Sequence, residues 1–357
     1  MNPSISVIVN THNYGRFIDE AIESALAQDF PADKMEIIVV DDGSTDDTAE
    51  RVKKYDGRVS YFYKENGDQC SAIPFGVARA KGDLVAFLDG DDIWLPNKLS
   101  RVAQEFVSSP RAVMLYHRYA YWDPRGNSTW DTSYFAEISG DVLADRRKLA
   151  AYTGAPTSSL VFRRDAFEPL TRIPSGLAFS YDTYLLSAAV FLGPIACIPE
   201  TLTKNRIHGN NRFETGDAAP ATATSRRRIA RWGAMIEVLS DWIRENAPES
   251  ARPQAQLLLR RWRLVLQQHQ FALEPPGRIE FFRHQLESNR LMGGARGPKL
   301  RAINWLNMFA SLITGYRHFS AMDSLWRKLD RSWLRYSDSV LAPSYRADDI
   351  RPRIGRR

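Results

Sequence analysis

Three segments of the sequence place polar and acidic side chains directly after apolar runs that are typical of buried strands. The first run ends in Asn10-Thr11-His12-Asn13, the second in Asp41-Asp42-Gly43-Ser44 and the third in Asp89-Gly90-Asp91-Asp92. Ligands of open parallel sheets bind beyond the carboxyl ends of the strands, so we expect these segments to meet at one sheet edge. The five aspartates, which we call the acid edge, would repel each other unless a cation joined them. A divalent metal ion and a hydroxyl-bearing group such as a ribose would suit them.

The elements that must position the acid edge alternate between strand and helix. Apolar β runs cover residues 5–11, 36–42 and 84–88, and residues 58–64 alternate as a further strand. Helices are predicted over 17–28, 71–81 and 96–107, and another begins after Ser44, which we expect to be its N-cap. This alternation favours an α/β fold in which helices cover both faces of a parallel sheet.

The chain divides into an acidic part and a basic part. Residues 1–224 carry a net charge of −7 and residues 225–357 carry +13. Segments with helical periodicity cover 226–245, 254–270, 278–291 and 304–336. We therefore expect an α/β domain over 1–215, a linker over 216–225, and a basic, mainly helical region over 226–357. Such a basic region favours an anionic partner surface.

Composition excludes several classes of protein. With 44% hydrophobic and 25% charged residues, the chain is not of the disordered or fibrous class. Two cysteines are too few for a disulfide framework. The first residues indicate a strand rather than a signal peptide, so we expect a cytoplasmic protein. No nucleic-acid-binding module is recognisable, and no nucleic-acid partner is expected.

The three strand-end segments, extended to residues 6–14, 37–46 and 82–92, resemble family 2 glycosyltransferases in order and spacing. The resemblance covers residues 4–212. It implies a GT-A fold, which is a Rossmann-like, mostly parallel sheet flanked by helices, here with a helical C-terminal extension. It also implies a nucleotide-sugar donor, a divalent cofactor (Mn²⁺ or Mg²⁺) and inversion at the anomeric carbon.

The resemblance implies roles for individual residues of the first half. Thr11 and His12 would line the nucleoside pocket, and Asp42 would meet the base. Asp89 would face the ribose side and help to hold the metal. Asp91 would be the main metal ligand on the diphosphate.

Further residues receive weaker assignments from the same resemblance. Asp92 would support the metal site. His208 is a candidate third metal ligand or diphosphate contact, although a lone histidine is equally typical of a structural role. Trp94 and Ser158 are candidates for the acceptor side, and Trp94 would serve equally well as a core or wall residue.

An inverting transfer needs a general base on the acceptor side. The family carries a Glu-Asp pair at the start of a helix for this purpose. Here Tyr181 stands in the glutamate position, and Asp182 remains as the expected base. An acid at a helix N-terminus is also favoured by the helix dipole alone. Pro74 is a second departure, since the family often carries Asn there.

These observations predict an inverting, metal-dependent enzyme that transfers a sugar from a UDP-sugar to a saccharide or lipid-linked acceptor in surface-glycan assembly. The C-terminal region presents one apolar helical face, formed by Trp305, Phe309, Leu312 and Tyr316. That face either packs internally or contacts an anionic membrane from the cytoplasmic side. The alternative left open is a non-catalytic GT-A-like scaffold that acts through its basic helices. Tyr181 and Pro74 favour that alternative, and the complete set of acids opposes it.

Overall fold

The chain forms two compact units in a computed structural model. The structure describes residues 3–123, 128–131, 137–152, 154–171, 173, 180–208, 221–271 and 273–292. The first unit comprises Met1–Asp145, Tyr152–Ile207 and Glu237–Ala251. The second unit comprises Arg146–Ala151, His208–Ile236 and Arg252–Arg357.

The first unit is built on one mixed sheet. Its strands are β1 (Ile5–Thr11), β2 (Met35–Asp42), β3 (Ser60–Lys64), β4 (Leu84–Asp89), β5 (Ile93–Trp94), β6 (Met114–Asp123), β7 (Ser128–Asp131), β8 (Leu160–Arg163) and β9 (Ile195–Arg206). Their order is β3-β2-β1-β4-β8-β6-β9-β5, and β7 pairs with β6. The four strands from β3 to β4 are parallel. Beyond them β8 lies antiparallel between β4 and β6, so the second half of the sheet is mixed.

The helices surround this sheet in the first unit and make up most of what is described of the second. They are α1 (Gly15–Leu26), α2 (Thr48–Val52), α3 (Gln69–Val77), α4 (Lys98–Ser108), α5 (Arg146–Ala151), α6 (Arg164–Phe167), α7 (Tyr181–Ala189), α8 (Ala221–Asn246), α9 (Arg252–Phe271) and α10 (Arg278–Met292). Among the described residues, no helix has the length and apolar composition needed to cross a bilayer. The expected α/β fold with a helical C-terminal region is confirmed.

The register of the parallel strands brings the polar segments to one edge. Residue Asn10 pairs with Asp89 across β1 and β4. Thr11 pairs with Asp41 across β1 and β2. Because parallel strands share one direction, the loops that follow β1, β2 and β4 all leave from this edge.

Apolar side chains hold the strands beneath the acid edge. The central strands β1, β2 and β4 are almost wholly buried, as expected for a sheet covered on both faces. On one face, buried residues of α1 and α4, including Ile18, Ile22 and Val102, join a single core with the strands. On the other face, Gly76 of α3 lies so close to β1 that a Cβ atom there would be 2.6 Å from Ile8 Cγ2.

Two details differ from the sequence expectations, and others fall outside the described residues. Ser44 is not an N-cap, because α2 begins at Thr48. Ser44 Oγ instead accepts a hydrogen bond from Asn13 N at 2.8 Å, and this bond joins the loops after β1 and β2. Helix α8 begins at Ala221, inside the expected linker. The predicted domain limits stay a prediction, and the segment 304–336 lies outside the described residues.

A buried serine ties the end of β4 to the loop that follows it. Ser158 lies in the 3₁₀ turn Thr157–Ser159, just before β8. Its Oγ accepts from Asp89 N at 3.0 Å and donates to Asp92 Oδ2 at 2.6 Å. One hydroxyl group therefore fixes both ends of the Asp89–Asp92 turn.

The carbonyl oxygen of Ser158 collects three further donors. It accepts from Trp94 Nε1 at 3.1 Å, from Lys98 Nζ at 2.7 Å and from Thr203 Oγ1 at 3.1 Å. The Lys98 side chain is fully buried, and its Nζ lies 3.7 Å from the centre of the Trp94 ring. Burial lowers the pKa of Lys98 well below its usual value, while the charges of Asp92 and Asp89 raise it. The Lys98 amino group is thus buried beneath the acid edge.

We predict that Ser158→Ala destabilises the first unit and Ser159→Ala does not. Both serines are fully buried, but Ser159 Oγ has no hydrogen-bond partner among the described residues. Losing the Ser158 hydroxyl leaves buried polar groups at Asp89 and Asp92 short of a partner, which costs about 2 kcal/mol of unfolding free energy. Urea unfolding followed by tryptophan fluorescence measures both variants. Equal losses in the two would contradict this account of Ser158.

Candidate active site

The loops after β1 and β2 lie next to each other at the acid edge and are joined by hydrogen bonds. Asn13 has a left-handed backbone with φ 56°, and its Oδ1 accepts from Thr45 N at 2.8 Å. Gly43 has φ +80°, a conformation that favours glycine. Together with the Asn13–Ser44 bond, these features fix the position of the residues that precede them, Thr11 and Asp42.

The two aspartates that end β2 have different environments. Asp41 is fully buried, and its carboxylate accepts from Ser44 N at 2.7 Å and from Tyr61 OH at 2.7 Å. Both of its oxygens are used within the fold, so Asp41 stabilises the loop.

Asp42 keeps one carboxylate oxygen without a partner. Its Oδ1 accepts from Lys64 Nζ at 2.7 Å and from Gly67 N at 3.0 Å. Its Oδ2 is buried and has no hydrogen-bond partner among the described residues. Leaving a buried acceptor unpaired costs about 1–3 kcal/mol, so such an atom marks a place where a ligand donor would be stabilising.

Thr11 and His12, which the sequence assigns to the nucleoside pocket, lie at the end of β1, and that role stays a prediction. His12 Nδ1 lies 2.9 Å from the carbonyl oxygen of Asp42. The same nitrogen lies 3.1 Å from the side-chain amide nitrogen of Asn66. Thr11 Oγ1 is buried and has no hydrogen-bond partner among the described residues. A Cβ atom on Gly90 would be 2.8 Å from it, so only glycine fits at that position.

The Asp89–Asp92 turn lies beside the end of β1 at the same edge of the sheet. Asp89 Oδ1 accepts from the side-chain amides of Asn10 and Gln69, the latter at 2.7 Å. Gly90 N donates to the Asn10 carbonyl at 2.8 Å. The Asp91 residue is buried, with 6% of its surface exposed. Its carboxylate thus lies at the acid edge on a turn held by both β1 and α3.

Asp92 anchors this turn to β9. Its carboxylate accepts from Asn205 Nδ2 at 2.9 Å and from Arg206 N at 3.0 Å, in addition to Ser158 Oγ. Burial and the negative charges of Asp91 and Asp89 raise the pKa of Asp92 well above its usual value, against these hydrogen bonds. Asp92 therefore anchors the turn to β9 and to Ser158, and its support of a metal site stays a prediction.

Arg206 is a second buried cation next to the turn. Its Nε donates to the Asp91 carbonyl oxygen at 2.8 Å, and its Nη2 lies 3.0 Å from Glu20 Oε2. The guanidinium carbon lies 4.6 Å from the Phe17 ring centre and 4.4 Å from that of Trp122. Sequence reasoning assigned no role to Arg206, Lys98, Lys64 or Gln69. Lys98 lies one turn before Val102 on the buried stripe of α4, and this spacing is the sequence feature that could have indicated its burial.

The donor set of the acid edge suits a divalent cation that is shared with a ligand. Among the described residues, no group of three or more His, Cys, Asp or Glu side chains is placed to hold a metal ion. Asp89 and Asp91 supply carboxylate oxygens, which Mg²⁺ and Mn²⁺ prefer, and Mg²⁺ sites commonly pair one or two carboxylates with substrate phosphates. Asp89 and Asp91 would therefore fit a metal ion whose other ligands include the phosphate oxygens of a bound substrate. His208 begins the second unit, and its part as a ligand stays a prediction.

Asp182 lies in the first turn of α7 and is partly buried. Its Oδ1 accepts from Thr183 N at 2.6 Å and from Thr183 Oγ1 at 3.3 Å. Burial raises the pKa of Asp182 to about 6, against these hydrogen bonds. A carboxylate with such a pKa can accept a proton near neutral pH.

Tyr181, which replaces the expected glutamate, is a core residue. It is 1% exposed, and its ring stacks on that of Tyr184 with a centroid distance of 5.9 Å. Burial raises its pKa well above the usual value. Tyr181 therefore serves packing at the start of α7, and Asp182 is the acid left at this position.

The two acceptor-side candidates are both buried. Trp94 is 2% exposed and Ser158 is fully buried, and their described contacts join them to each other and to neighbouring protein groups. Their part in acceptor binding stays a prediction.

Comparison with known proteins identifies a family. The model described as glycosyl transferase family 2 matches residues 6–171. A glycosyltransferase of Nostoc sp. is 33% identical over 252 residues, which cover 68% of this chain and 74% of that protein. A glycosyltransferase of Mycoplasma pneumoniae is 27% identical over 280 residues, which cover 75% and 87%.

Solved structures share the fold at low identity. TarS of S. aureus, in complex with UDP-GlcNAc, has a TM-score of 0.56 and 18% identity, covering 94% of this chain and 88% of that one. The mannosyltransferase PcManGT from Pyrobaculum calidifontis, in complex with GDP-Man and Mn²⁺, has a TM-score of 0.51 and 18% identity, covering 95% and 84%. The family match, the Nostoc relative and this shared fold agree with the strand-end motifs, and the chain belongs to the family 2 glycosyltransferases.

Proposed function

We propose that this glycosyltransferase moves a sugar from a UDP-sugar to a hydroxyl group of a saccharide or lipid-linked acceptor, with inversion and with Mn²⁺ or Mg²⁺. The observation that supports this most is Asp42 Oδ2, which has no hydrogen-bond partner among the described residues, at the same sheet edge as Asp89 and Asp91. At this edge Asp42 would accept a hydrogen bond from a base N–H, and Asp89 and Asp91 would supply oxygen ligands for the metal on the diphosphate.

The donor nucleoside would lie between the loop after β2 and the Asp89–Asp92 turn. Asp42 Oδ2 would accept the ring N–H of uracil, and Thr11 and His12 would line the nucleoside pocket. Asp89 would face the ribose. Its Oδ1 is already oriented by two amides, so it would meet a ribose hydroxyl in a fixed geometry.

The diphosphate would lie at Asp91. Asp91 would be the main metal ligand, with Asp89 and His208 as further ligands. When bound, the metal supplies positive charge that stabilises the departing diphosphate. Asp92 and Arg206 would hold the turn on which Asp91 lies, through the hydrogen bonds to the β9 backbone and the Asp91 carbonyl.

Asp182 would act as the general base. It would take the proton of the acceptor hydroxyl while that oxygen forms its bond to the anomeric carbon. The bond from that carbon to the diphosphate oxygen would break on the opposite face, and the nucleoside diphosphate would leave with the bonding electrons. A pKa of about 6 suits this step, because most of the carboxylate is then ionised at neutral pH.

Nucleotide binding tests the donor site without knowledge of the acceptor. We expect calorimetric titration to show binding of UDP in the presence of Mn²⁺, with much weaker binding in its absence. Asp91→Ala should reduce UDP affinity in Mn²⁺ about tenfold or more, since it removes the main metal ligand. Binding of GDP or CMP in place of UDP would change the donor class. Absence of binding to all three in a folded protein would favour the scaffold alternative.

Asp182→Asn tests the base. We expect this variant to bind UDP normally and to lose UDP release from the UDP-sugar in a mixture of saccharide and lipid acceptors. The control is Asp165→Asn, because Asp165 is an exposed acid in the first turn of α6 whose Oδ1 also accepts from the next amide, at 2.8 Å. Normal turnover by Asp182→Asn would remove Asp182 from the base role.

The same variant has a stability signature that separates loss of the base from misfolding. The pKa of Asp182 is raised from 3.8 to about 6 on folding, so its ionised form is disfavoured in the fold as pH rises through 6. Asp182→Asn should therefore be more stable than the parent protein above pH 6, by up to about 3 kcal/mol. That gain should vanish below about pH 4. Urea unfolding at pH 4 and pH 8 measures the difference.

The setting that we propose is surface-glycan assembly at the cytoplasmic face of the membrane, with Trp94 and Ser158 towards the acceptor. The membrane setting rests on the charge of +13 over residues 225–357 and on the apolar helical face that the sequence predicts around Trp305, which lies outside the described residues. Basic residues with aromatic anchors bind anionic lipid surfaces.

Vesicle co-sedimentation tests the membrane contact. We expect the full chain to sediment with phosphatidylglycerol vesicles at low salt and to be released at high salt, because exposed charges are screened. Phosphatidylcholine vesicles are the control. Equal recovery in the supernatant with both vesicle types would contradict the membrane contact.

A further inference from the structure

We propose that Lys64 selects the nucleobase of the donor by occupying one oxygen of Asp42 and leaving the other as a single acceptor. This inference rests on the proposed donor site. Lys64 belongs to none of the motifs at the strand ends, and it lies on β3 at the edge of the sheet.

The two oxygens of Asp42 differ sharply. A carboxylate oxygen has two lone-pair sites, and both sites of Oδ1 are taken, by Lys64 Nζ at 2.7 Å and by Gly67 N at 3.0 Å. Oδ2 receives no hydrogen bond from the described residues, and it is buried. Asp42 can therefore offer one oxygen to a base, and the geometry excludes a two-oxygen contact.

Lys64 is a fixed part of the site. Its three N–H groups reach Asp42 Oδ1, Ser71 Oγ at 2.9 Å and the Glu65 carbonyl oxygen. The register of β2 and β3 pairs Asp42 directly with Lys64. Only 18% of the lysine side chain is exposed, and 4% of the aspartate side chain. An ammonium group with all its donors used in one geometry holds the carboxylate in one orientation.

The space around the ammonium group is closed. A Cβ atom on Gly67 would be 2.4 Å from Ser71 Oγ and 3.1 Å from Lys64 Nζ. Gly67 therefore allows the loop after β3 to pass close to the Lys64–Asp42 pair, where a larger residue would collide. The lysine has little room to swing aside when a base enters, so Oδ1 stays occupied in the complex.

A single acceptor oxygen distinguishes the bases by their hydrogen-bonding edges. Uracil and thymine present one ring N–H between two carbonyl groups, which one oxygen satisfies. Guanine presents a ring N–H next to an amino group, and that pair suits both oxygens of a free carboxylate. Cytosine presents a bare ring nitrogen, which a carboxylate oxygen repels. We therefore expect UDP to bind at least about tenfold more tightly than GDP or CDP in Mn²⁺, since a buried polar group left unpaired is costly.

The first test is Lys64→Met, compared with Lys54→Met. Lys54 also lies near an aspartate, with 3.5 Å between its Nζ and Asp19 Oδ2, but on the exposed surface away from the acid edge. We expect Lys64→Met to free one of the two lone-pair sites of Oδ1 and to bring the affinities for UDP and GDP within about threefold of each other. Lys54→Met should keep the ratio of the parent protein. If Lys64 only supports the fold, both affinities would fall together and the ratio would not change.

A sharper test uses Asp42→Asn. An ammonium group accepts no hydrogen bond, so Lys64 would hold the amide oxygen and turn the amide NH₂ towards the base. The site would then present a donor in place of an acceptor. We expect Asp42→Asn to favour CDP over UDP, which reverses the preference of the parent protein by about tenfold or more.

The double variant Asp42→Asn with Lys64→Met completes the cycle. Without the lysine, the Gly67 N–H alone holds the amide oxygen, and we expect the preference for CDP over UDP to be smaller than in Asp42→Asn alone. If Asp42→Asn loses all nucleotides equally, or if the double variant keeps the full CDP preference of Asp42→Asn, Lys64 is not the selector. Failure of the parent protein to bind any nucleoside diphosphate in Mn²⁺ would instead contradict the proposed function itself. A parent protein that prefers GDP would overturn the role of Lys64 and leave the transferase proposal standing.

Discussion

Repulsion between carboxylates is the constraint on which the rest of this structure depends. Three neighbouring parallel strands end in polar or acidic segments, and their register brings those segments to one edge. Bringing like charges together and burying them is unfavourable unless each charge has donors or a cation nearby. The molecule meets this condition differently at each aspartate, and among the described residues it leaves Asp42 with one buried oxygen that has no hydrogen-bond partner.

The supporting acids are those whose oxygens are used by the protein. Asp41 is held by Ser44 and Tyr61, and Asp92 by Ser158, Asn205 and Arg206. Buried Lys98 lies under the same turn, bound to the Ser158 carbonyl. These contacts preorganise Asp89 and Asp91 before any ligand arrives, which is how a rigid scaffold lowers the cost of binding. Asp42 differs from these acids, because its buried Oδ2 has no hydrogen-bond partner among the described residues, and we propose it as the contact for the base.

The sequence predicted the parts of the fold that depend on local pattern. The apolar run that became Leu84–Asp89 and the motif after it were predictable, because a buried strand has a strong local signal and its end must lie at the sheet edge. Short elements such as Ile93–Trp94 have too few residues for a periodic signal. The antiparallel placement of β8 between β4 and β6 depends on pairing between distant segments, so local patterns could not reveal it. The roles of Lys64, Lys98 and Arg206 escaped sequence reasoning for the same reason, since each partner lies far away in the chain.

The central claim is that the acid edge binds a metal nucleoside diphosphate, with the base on Asp42 and the metal on Asp91. The most direct test is a crystal structure of the full chain with UDP and Mn²⁺, with the metal located from its anomalous scattering. The account predicts an anomalous peak within bonding distance of the Asp91 carboxylate and of the diphosphate. It also predicts that the uracil ring N–H donates to Asp42 Oδ2. A Mn²⁺ peak away from Asp91, or a uracil ring away from Asp42, would contradict it.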